Sequence, residues 1–207
     1  MALKRDDARL AVSRHAARLF LEHGVAGTSG DDIAAASGVS KRTIWRHFRS
    51  KESCVEPFFC ASALRFSAKL HEWPHDESIE TYLHRCLGPE KQTAQETADD
   101  VLAVRLIALL PQEPALRTAW LMSCHLGEEE MVKVISARLD RSADDFDVRL
   151  CAATVIAAVR VVDETISMAA IRDAQKFTLV EVVDHMAQAI RTASTLPICD
   201  PVVSKLA

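Results

Sequence analysis

One short segment constrains the fold more than any other, because it places small and apolar residues at fixed intervals. Residues 28–52 read TSGDDIAAASGVSKRTIWRHFRSKE. Ile33 and Ala34 would face inward on a short helix that begins near Asp31. Gly38 follows four residues after Ala34, where a turn between two crossed helices needs a residue that tolerates positive φ. The segment therefore predicts a helix-turn-helix.

The second helix of this segment, predicted at Lys41–Phe48, has two unlike faces. Ile44 and Phe48 have i, i+4 spacing and would face the core, and Ser40 is suited to cap the helix at its N-terminus. The outward face is rich in hydrogen-bond donors and has no acidic residue; it consists of Lys41, Arg42, Thr43, Trp45, Arg46 and His47. Such a face is typical of a recognition helix that contacts phosphates and base edges. An ordinary helical hairpin with a basic polar face is the alternative.

This stretch resembles the DNA-binding domain of the TetR family of bacterial transcriptional regulators. The resemblance rests on Ile33-Ala34 with Gly38-Val39-Ser40, on Thr43-Ile44-Trp45-Arg46-His47-Phe48, and on Ser50-Lys51-Glu52. It covers roughly residues 8–55, and the rest of the chain resembles the family only in length and helical content. Two residues depart from the family pattern: Gly30 stands where an aliphatic residue is usual, and Trp45 replaces the usual tyrosine.

The residue types on this surface suggest separate roles in DNA recognition. We expect Arg42 to read a base, because arginine can make a bidentate pair with guanine, and Thr43 to contact a thymine methyl group. Residues expected to hold phosphates and set the register are Thr28, Ser29, Trp45, His47 and Lys51. The complete candidate interface also includes Ser40, Lys41 and Arg46.

Charge is divided unevenly along the chain. Residues 1–51 contain ten Lys and Arg and five acidic residues, a net charge of +5, whereas residues 52–207 contain 15 and 24, a net charge of −9. A basic end on an acidic body concentrates the attraction for phosphate at one end of the molecule. We therefore expect a three-helix DNA-binding domain at 1–50 and a larger helical domain at 51–207.

Helical periodicity is the only strong pattern in the sequence, which predicts an all-α fold. We expect the fourth helix to be continuous and to link the two domains, and the tail with Pro197 and Pro201 to be frayed. Helix caps are predicted at three N-termini: Thr28 with Asp31 for the second helix, Ser142 with Asp145 for the penultimate helix, and Thr178 with Glu181 for the last. The helices are predicted at about Ala8–His23, from Asp31, Lys41–Phe48, Lys51–Glu72, Glu77–Leu87, Ala94–Leu110, Ala115–Leu139, Ala143–Ile171 and Leu179–Ala193.

The last two helices carry more apolar surface than one subunit needs. Between Leu150 and Val162 only Thr154 and Arg160 interrupt the apolar residues, so both faces of this helix favour burial. One face can pack on the body, and the other would need a second chain. In the TetR family the last two long helices form the dimer seam, and the resemblance implies the same for a homodimer here. A wholly intramolecular core is the alternative.

The larger domain combines bulky apolar residues with scattered polar ones, as small-molecule sites do. The family resemblance implies a cavity for an effector in residues 52–175, although each of these residues could instead belong to a satisfied core. The candidate ligand-binding residues are Phe59, Phe66, His84, Arg105, Trp120 and His125.

Other kinds of site are not expected. The sequence has no G-x-S-x-G motif, no P-loop and no Gly-rich dinucleotide turn, so we predict no catalytic residues and no cofactor. The six cysteines show no ligand spacing, so we predict no metal site and reduced thiols. The longest mainly apolar stretch, from Leu150 to Val159 with Thr154 inside it, is too short for a membrane span, and no secretory signal is apparent, so we expect a cytoplasmic protein.

These observations favour a sequence-specific, homodimeric transcriptional regulator, a repressor that a small-molecule effector releases from a near-palindromic operator. Two alternatives remain at this point. One is an effector-free architectural or constitutive regulator, and the other is a helical ligand carrier or enzyme that has retained the DNA-binding head.

Overall fold

The computed structural model describes residues 2–202 and is all-α, as predicted. Within these residues the chain forms nine α-helices and two short 3-10 segments, at Glu52–Val55 and Pro89–Lys91. The α-helices are α1 (Ala2–Gly27), α2 (Gly30–Ala36), α3 (Lys41–His47), α4 (Glu56–His71), α5 (Ile79–Cys86), α6 (Ala94–Ile107), α7 (Pro114–Leu139), α8 (Phe146–Arg172) and α9 (Leu179–Ala193).

Local capping explains where several helices begin. Thr178 and Glu181 form a reciprocal capping box at the start of α9, whose predicted bounds are confirmed. Thr93 and Glu96 do the same for α6, which ends at Ile107 and not at Leu110.

Two predicted caps were wrong. The N-cap of α2 is Ser29, which forms a capping box with Asp32, and not Thr28 with Asp31. The N-cap of α8 is Asp145, so that helix begins at Phe146 and not at Ala143.

The predicted fourth helix is not a continuous α-helix. It begins as the 3-10 segment Glu52–Val55 and becomes α-helical only at Glu56. Pro57 lies in the first turn of α4, and proline lacks the backbone N–H that would donate to the carbonyl four residues earlier. Ser50 and Ser53 bond reciprocally at the start of the 3-10 segment, since each backbone N–H donates to the other's hydroxyl at 3.0 and 3.2 Å.

The core is divided between two clusters of buried apolar residues. One cluster joins α1, α2 and α3 to the start of α4, the end of α6 and the start of α7, with Phe20, Ile33, Ile44 and Phe59 at its centre. The other lies at the far end of the body between α5, α7, α8 and α9. The first cluster crosses the domain boundary expected near residue 50, so the head shares its core with the body.

The segment after α9 was predicted to be frayed, but up to residue 202 it is packed against the body. Ile198 and Cys199 are buried. The buried guanidinium of Arg138 lies 3.6 Å from the centre of the Trp73 ring and donates to the Ile198 carbonyl at 2.7 Å. It also donates to the carbonyls of Pro74, Glu77 and Asp200 at 2.8, 2.9 and 3.2 Å. One arginine on α7 thereby joins the α4–α5 connection to the C-terminal segment.

Candidate nucleic-acid interface and internal cavity

The turn between α2 and α3 has the geometry that the sequence predicts. Gly38 adopts φ 66°, the left-handed region that favours glycine. The N–H of Val39 donates to the Ala34 carbonyl at 3.1 Å, which closes the turn. Ala34 and Ile44 are both buried where α2 and α3 meet. The two helices therefore cross as a helix-turn-helix, with the outer face of α3 directed away from the core.

The outer face of α3 presents donors to solvent. The Ser40 hydroxyl accepts from the Thr43 N–H at 3.1 Å and so caps the helix as predicted. Arg42, Trp45 and Arg46 are exposed, and Arg42 makes no hydrogen bond or ion pair with any described residue. The helix ends at His47 and not at Phe48, because Phe48 turns to an extended conformation as its ring packs in the core.

Two neighbouring side chains partly engage this surface. The Lys41 ammonium lies 2.8 Å from the carboxylate of Asp31 on α2. The outer face of α3 has no acidic residue of its own, but this carboxylate lies beside it. The Arg46 guanidinium lies 3.3 Å from Nε2 of His47. Ser29 is exposed, but its hydroxyl donates to Asp32 at 2.7 Å within the capping box.

Trp45 and Gly30, the two departures from the family pattern, are in contact. A Cβ atom built on Gly30 would lie 2.2 Å from Cζ2 and 2.7 Å from Cη2 of Trp45. The indole thus occupies the space that a side chain at position 30 would need. Trp45 remains 42% exposed, so one edge packs against α2 while the remainder faces solvent.

Two predicted phosphate contacts have structural roles instead. Thr28 is only 1% exposed, and its hydroxyl donates to the carbonyls of Leu19 and Gly24 at 3.2 and 2.8 Å. The Lys51 ammonium donates to the carbonyls of Val25 and Thr28 at 2.6 and 2.8 Å. Both side chains satisfy carbonyl groups around the end of α1, which sequence spacing could not reveal because the partners are set by the tertiary fold.

The body contains a cavity of about 330 Å³ between α4, α6, α7, α8 and α9. Three of the predicted ligand-binding residues line it: Phe59, Phe66 and Trp120. The ring centres of Phe59 and Trp120 are 5.3 Å apart in an edge-to-face arrangement.

The other three predicted ligand-binding residues do not line this cavity. His84 is exposed and pairs with Asp184 at 2.8 Å, His125 is exposed beside Glu129, and Arg105 is exposed on α6. Helical periodicity could not show which faces of the helices enclose the cavity, because that depends on how they pack.

Most charged groups around the cavity are paired. Arg65 lies 2.6 Å from Asp100. Arg160 lies 3.1 Å from Glu164, whose carboxylate also accepts from the Trp120 indole N–H at 3.1 Å. The Lys69 ammonium donates to the Cys86 carbonyl at 2.8 Å.

Asp163 differs from these groups. Its side chain lines the cavity and makes no hydrogen bond or ion pair with any described residue. The residue is half-buried, and we attribute its remaining accessible surface to the cavity. Protein atoms surround the carboxyl group itself. Burial, with smaller contributions from the nearby charges of Glu164 and Asp100, raises the pKa of Asp163 to about 7.

An ion pair connects the wall of the cavity to the DNA-binding head. Arg14 on α1 holds the buried Asp99 on α6 through hydrogen bonds of 2.7, 2.9 and 3.1 Å. Asp99 is adjacent to Asp100, whose partner Arg65 lines the cavity. The Ser13 hydroxyl adds a second link from α1, since it accepts from the Phe58 N–H of α4 at 3.0 Å.

Comparisons with known proteins agree with this geometry. Residues 14–57 match the model of the bacterial regulatory proteins of the tetR family. The HTH-type transcriptional regulator TcmR of Streptomyces glaucescens is 31% identical over 157 residues, which cover 72% of this chain and 68% of that protein. The chain belongs to the TetR family. It is a DNA-binding transcriptional regulator, and TetR-family proteins are typically ligand-responsive repressors.

Solved structures support the TetR-family fold over most of the chain. A Rhodococcus structure described as a TetR-family transcriptional regulator has a TM-score of 0.57 at 21% identity, over 91% of this chain and 98% of that one. Salmonella enterica GusR has a TM-score of 0.54 at 19% identity, over 92% and 96%.

Within residues 2–202 of this TetR-family chain, no helix is long and apolar enough to cross a membrane. These residues contain no group of three or more His, Cys, Asp or Glu that could hold a metal ion.

Sequence reasoning missed Asp163, the one charged residue that faces the TetR-family cavity without a partner among the described residues. A signal was present, because Asp163 directly follows the apolar run that ends at Val162. When both faces of a helix are apolar, an acidic residue in its interior is expected to be at least partly buried.

Proposed function

We propose that this TetR-family protein is a repressor that binds a near-palindromic operator as a homodimer and leaves it when a small molecule enters the internal cavity. The observation that carries this proposal is the position of the cavity. Its wall includes α6, and the Arg14–Asp99 ion pair ties α6 to α1 of the DNA-binding head. Occupancy of the cavity can therefore act on the head through a direct contact.

In the proposed complex, α3 lies in the major groove, and the side chains on its outer face and at its N-cap have separate roles. Arg42 is the candidate base reader, because it is exposed and free of partners among the described residues. Ser40, Lys41, Trp45, Arg46 and His47 lie around it and would hold phosphates, with Thr43 beside a base. Ser29 would add a contact at the start of α2, whereas Thr28 and Lys51 would support the fold of the head.

The proposed partner subunit is a second copy that packs on α8 and α9. Exposed apolar side chains on these helices include Leu150, Val161, Leu179 and Val180. Ala153 and Ala157, between Leu150 and Val161 on α8, are small enough to allow close approach of a second helix. Two copies related by a twofold axis would place two α3 helices on half-sites about one helical turn or somewhat more apart.

Release from DNA requires that the effector favours one arrangement of the subunits over the other. A molecule in the cavity would contact Arg65 or its surroundings and so displace Asp100 and the adjacent Asp99. Because Asp99 holds Arg14 with three hydrogen bonds, α1 would follow α6. The separation of the two α3 helices would then no longer match the operator.

The experiment that tests the DNA-binding part is selection of duplexes from a random pool by the purified protein and by its Arg42→Ala variant. Arg42→Ala should lose about 1–3 kcal/mol at one operator position and accept other bases there. Arg149→Ala is the matched control, since Arg149 is an exposed arginine near the start of α8. An Arg42→Ala variant that selects the same operator with the same affinity would exclude Arg42 as a base reader.

A further inference from the structure

We infer that the effector of this protein is a largely apolar molecule with a single basic nitrogen, which Asp163 binds as a cation. This inference rests on the proposed function, because it assigns a ligand class to the same cavity. The reasons are the composition of the cavity wall and the state of the one carboxyl group there that lacks a partner.

The cavity is suited to an apolar body of moderate size. Its volume of about 330 Å³ lies within the range for small-molecule sites, roughly 300–1,000 Å³. Aromatic and aliphatic side chains from four helices form much of the wall, among them Phe59, Phe66, Trp120, Ile156 and Met186. A bicyclic or tricyclic aromatic body would replace water in this space and gain from apolar burial.

The charged side chains of the cavity wall favour a cationic ligand over an anionic one. Arg65, Lys69, Asp100 and Arg160 all have partners in the protein. Among the charged side chains that line the cavity within residues 2–202, Asp163 alone has none. A ligand carboxylate would have to break an existing ion pair to find a cation. An ammonium group finds an unpaired carboxylate already in place.

The surroundings of Asp163 leave its charge uncompensated. Removal from water opposes ionisation of Asp163 most, and the charges of Glu164 on the same helix and Asp100 on α6 add to it. On α7 the Cys124 thiol interacts with Asp163, and burial together with that charge raises the pKa of the thiol to about 12. The arginines of the wall are held by other acids, Arg65 from α4 by Asp100 and Arg160 from α8 by Glu164.

A cationic ligand would therefore favour the ionised form of Asp163, whereas its protein surroundings favour the protonated form. An alkyl amine stays protonated up to about pH 10, so its affinity depends on the ionisation of Asp163. Below the pKa of about 7, the amine must displace a proton, and affinity should fall as the pH falls. A neutral ligand that accepts a hydrogen bond from protonated Asp163, or an anionic ligand, should show the opposite trend.

The test uses three probes with the same aromatic body and different ends: naphthylmethylamine, naphthylmethanol and naphthoate. Their dissociation constants for the full chain are measured by calorimetry at about pH 8 and about pH 5.5. The amine should bind about tenfold or more tightly than the alcohol at the higher pH, and this advantage should shrink by about tenfold at the lower pH. Naphthoate should bind most weakly.

Asp163→Asn supplies the second arm, because the amide keeps the shape of the side chain and removes its charge. The advantage of the amine and its pH dependence should both disappear, while binding of the alcohol remains. Asp173→Asn, the same change at the exposed C-terminal end of α8, is the matched control and should behave like the native protein. The pH series on the native chain does not depend on the variant folding.

The outcomes separate this inference from the proposed function. Equal binding of amine and alcohol, tighter binding of naphthoate, or no binding of any probe at millimolar concentration would overturn the inference. An amine that binds as described but leaves operator affinity unchanged would instead contradict the effector-released repressor, and the ligand class would stand.

Discussion

Asp163 gives this protein a pH dependence opposite to that of an ordinary paired carboxylate. Its pKa is raised from the ordinary value of 3.8 to about 7, mainly by burial. Between these two values the folded state binds more protons than the unfolded state, so the contribution of Asp163 to stability falls as the pH rises through this window. An enclosed carboxylate without a partner is then most costly above pH 7.

We predict that Asp163→Asn raises the free energy of unfolding by about 1–3 kcal/mol at pH 8 and changes it little at about pH 4. Urea denaturation of both proteins at each pH measures the difference, with Asp173→Asn as the control. The same gain at both pH values would mean that the charge of Asp163 is not the cause.

The sequence suggests that Lys51 contacts a phosphate, whereas the structure shows it bonded to backbone carbonyls of the head. Its ammonium satisfies two carbonyl groups at the end of α1, so removing it leaves the carbonyls of Val25 and Thr28 without that donor. Lys51→Met should cost about 1–3 kcal/mol of unfolding free energy and leave the salt dependence of DNA binding unchanged.

Arg46→Met is the comparison for Lys51→Met, because Arg46 is exposed on the outer face of α3. If Arg46 contacts a phosphate, its removal should flatten the slope of affinity against salt by about one unit. A slope that flattens for Lys51→Met would restore Lys51 to the interface.

Where α2 and α3 cross, the indole of Trp45 fits closely against Gly30. Gly30→Ala would place a Cβ atom 2.2 Å from the indole, so either the ring or the helix must move. We predict a loss of about 1–3 kcal/mol in unfolding free energy and a shift in tryptophan fluorescence. Both changes should disappear when Trp45→Ala is added.

Gly27→Ala is the control for Gly30→Ala. The nearest atom to a Cβ on Gly27 is the Cβ of His23, at 3.8 Å, an ordinary contact. This variant should unfold within about 0.5 kcal/mol of the native protein, as surface substitutions usually do. An equal loss at both positions would attribute the effect to the helix backbone and not to the indole.

The elements that could be predicted from the sequence are those with local signals. The capping box at Thr178 identified the first residue of α9, and Gly38 identified the turn before α3. The start of α4 was missed because the effect of Pro57 competes with a regular apolar pattern. Only half of the residues predicted to line the cavity do so. His84 lies outside it and Asp163 inside it, and the sequence could not show this because the packing of the helices decides which faces enclose the cavity.

The proposed dimer depends on apolar side chains that are exposed on α8 in the single subunit. Val161 is 53% exposed near the middle of that helix. Val161→Glu would bury an unpaired charge in the proposed seam, which costs more than the lost apolar contact. We predict a monomer in light-scattering measurements at micromolar concentration and loss of tight operator binding, with the helical content retained.

Val101→Glu is the matched control, because Val101 is 58% exposed on α6, outside the proposed seam. It should remain dimeric and bind the operator like the native protein. A native protein that is monomeric at micromolar concentration, or a dimer that survives Val161→Glu, would contradict the seam on α8.

The contacts of Arg138 also bear on the order in which the chain can fold during synthesis. Its guanidinium is buried without a carboxylate partner and depends on four carbonyl groups, two of which belong to Ile198 and Asp200. A ribosome makes these residues about 60 positions after Arg138. Until they emerge, the body can close only around an incompletely satisfied cation. Complete packing at the far end of the body therefore requires residues up to 200, whereas the helix-turn-helix uses none of these contacts.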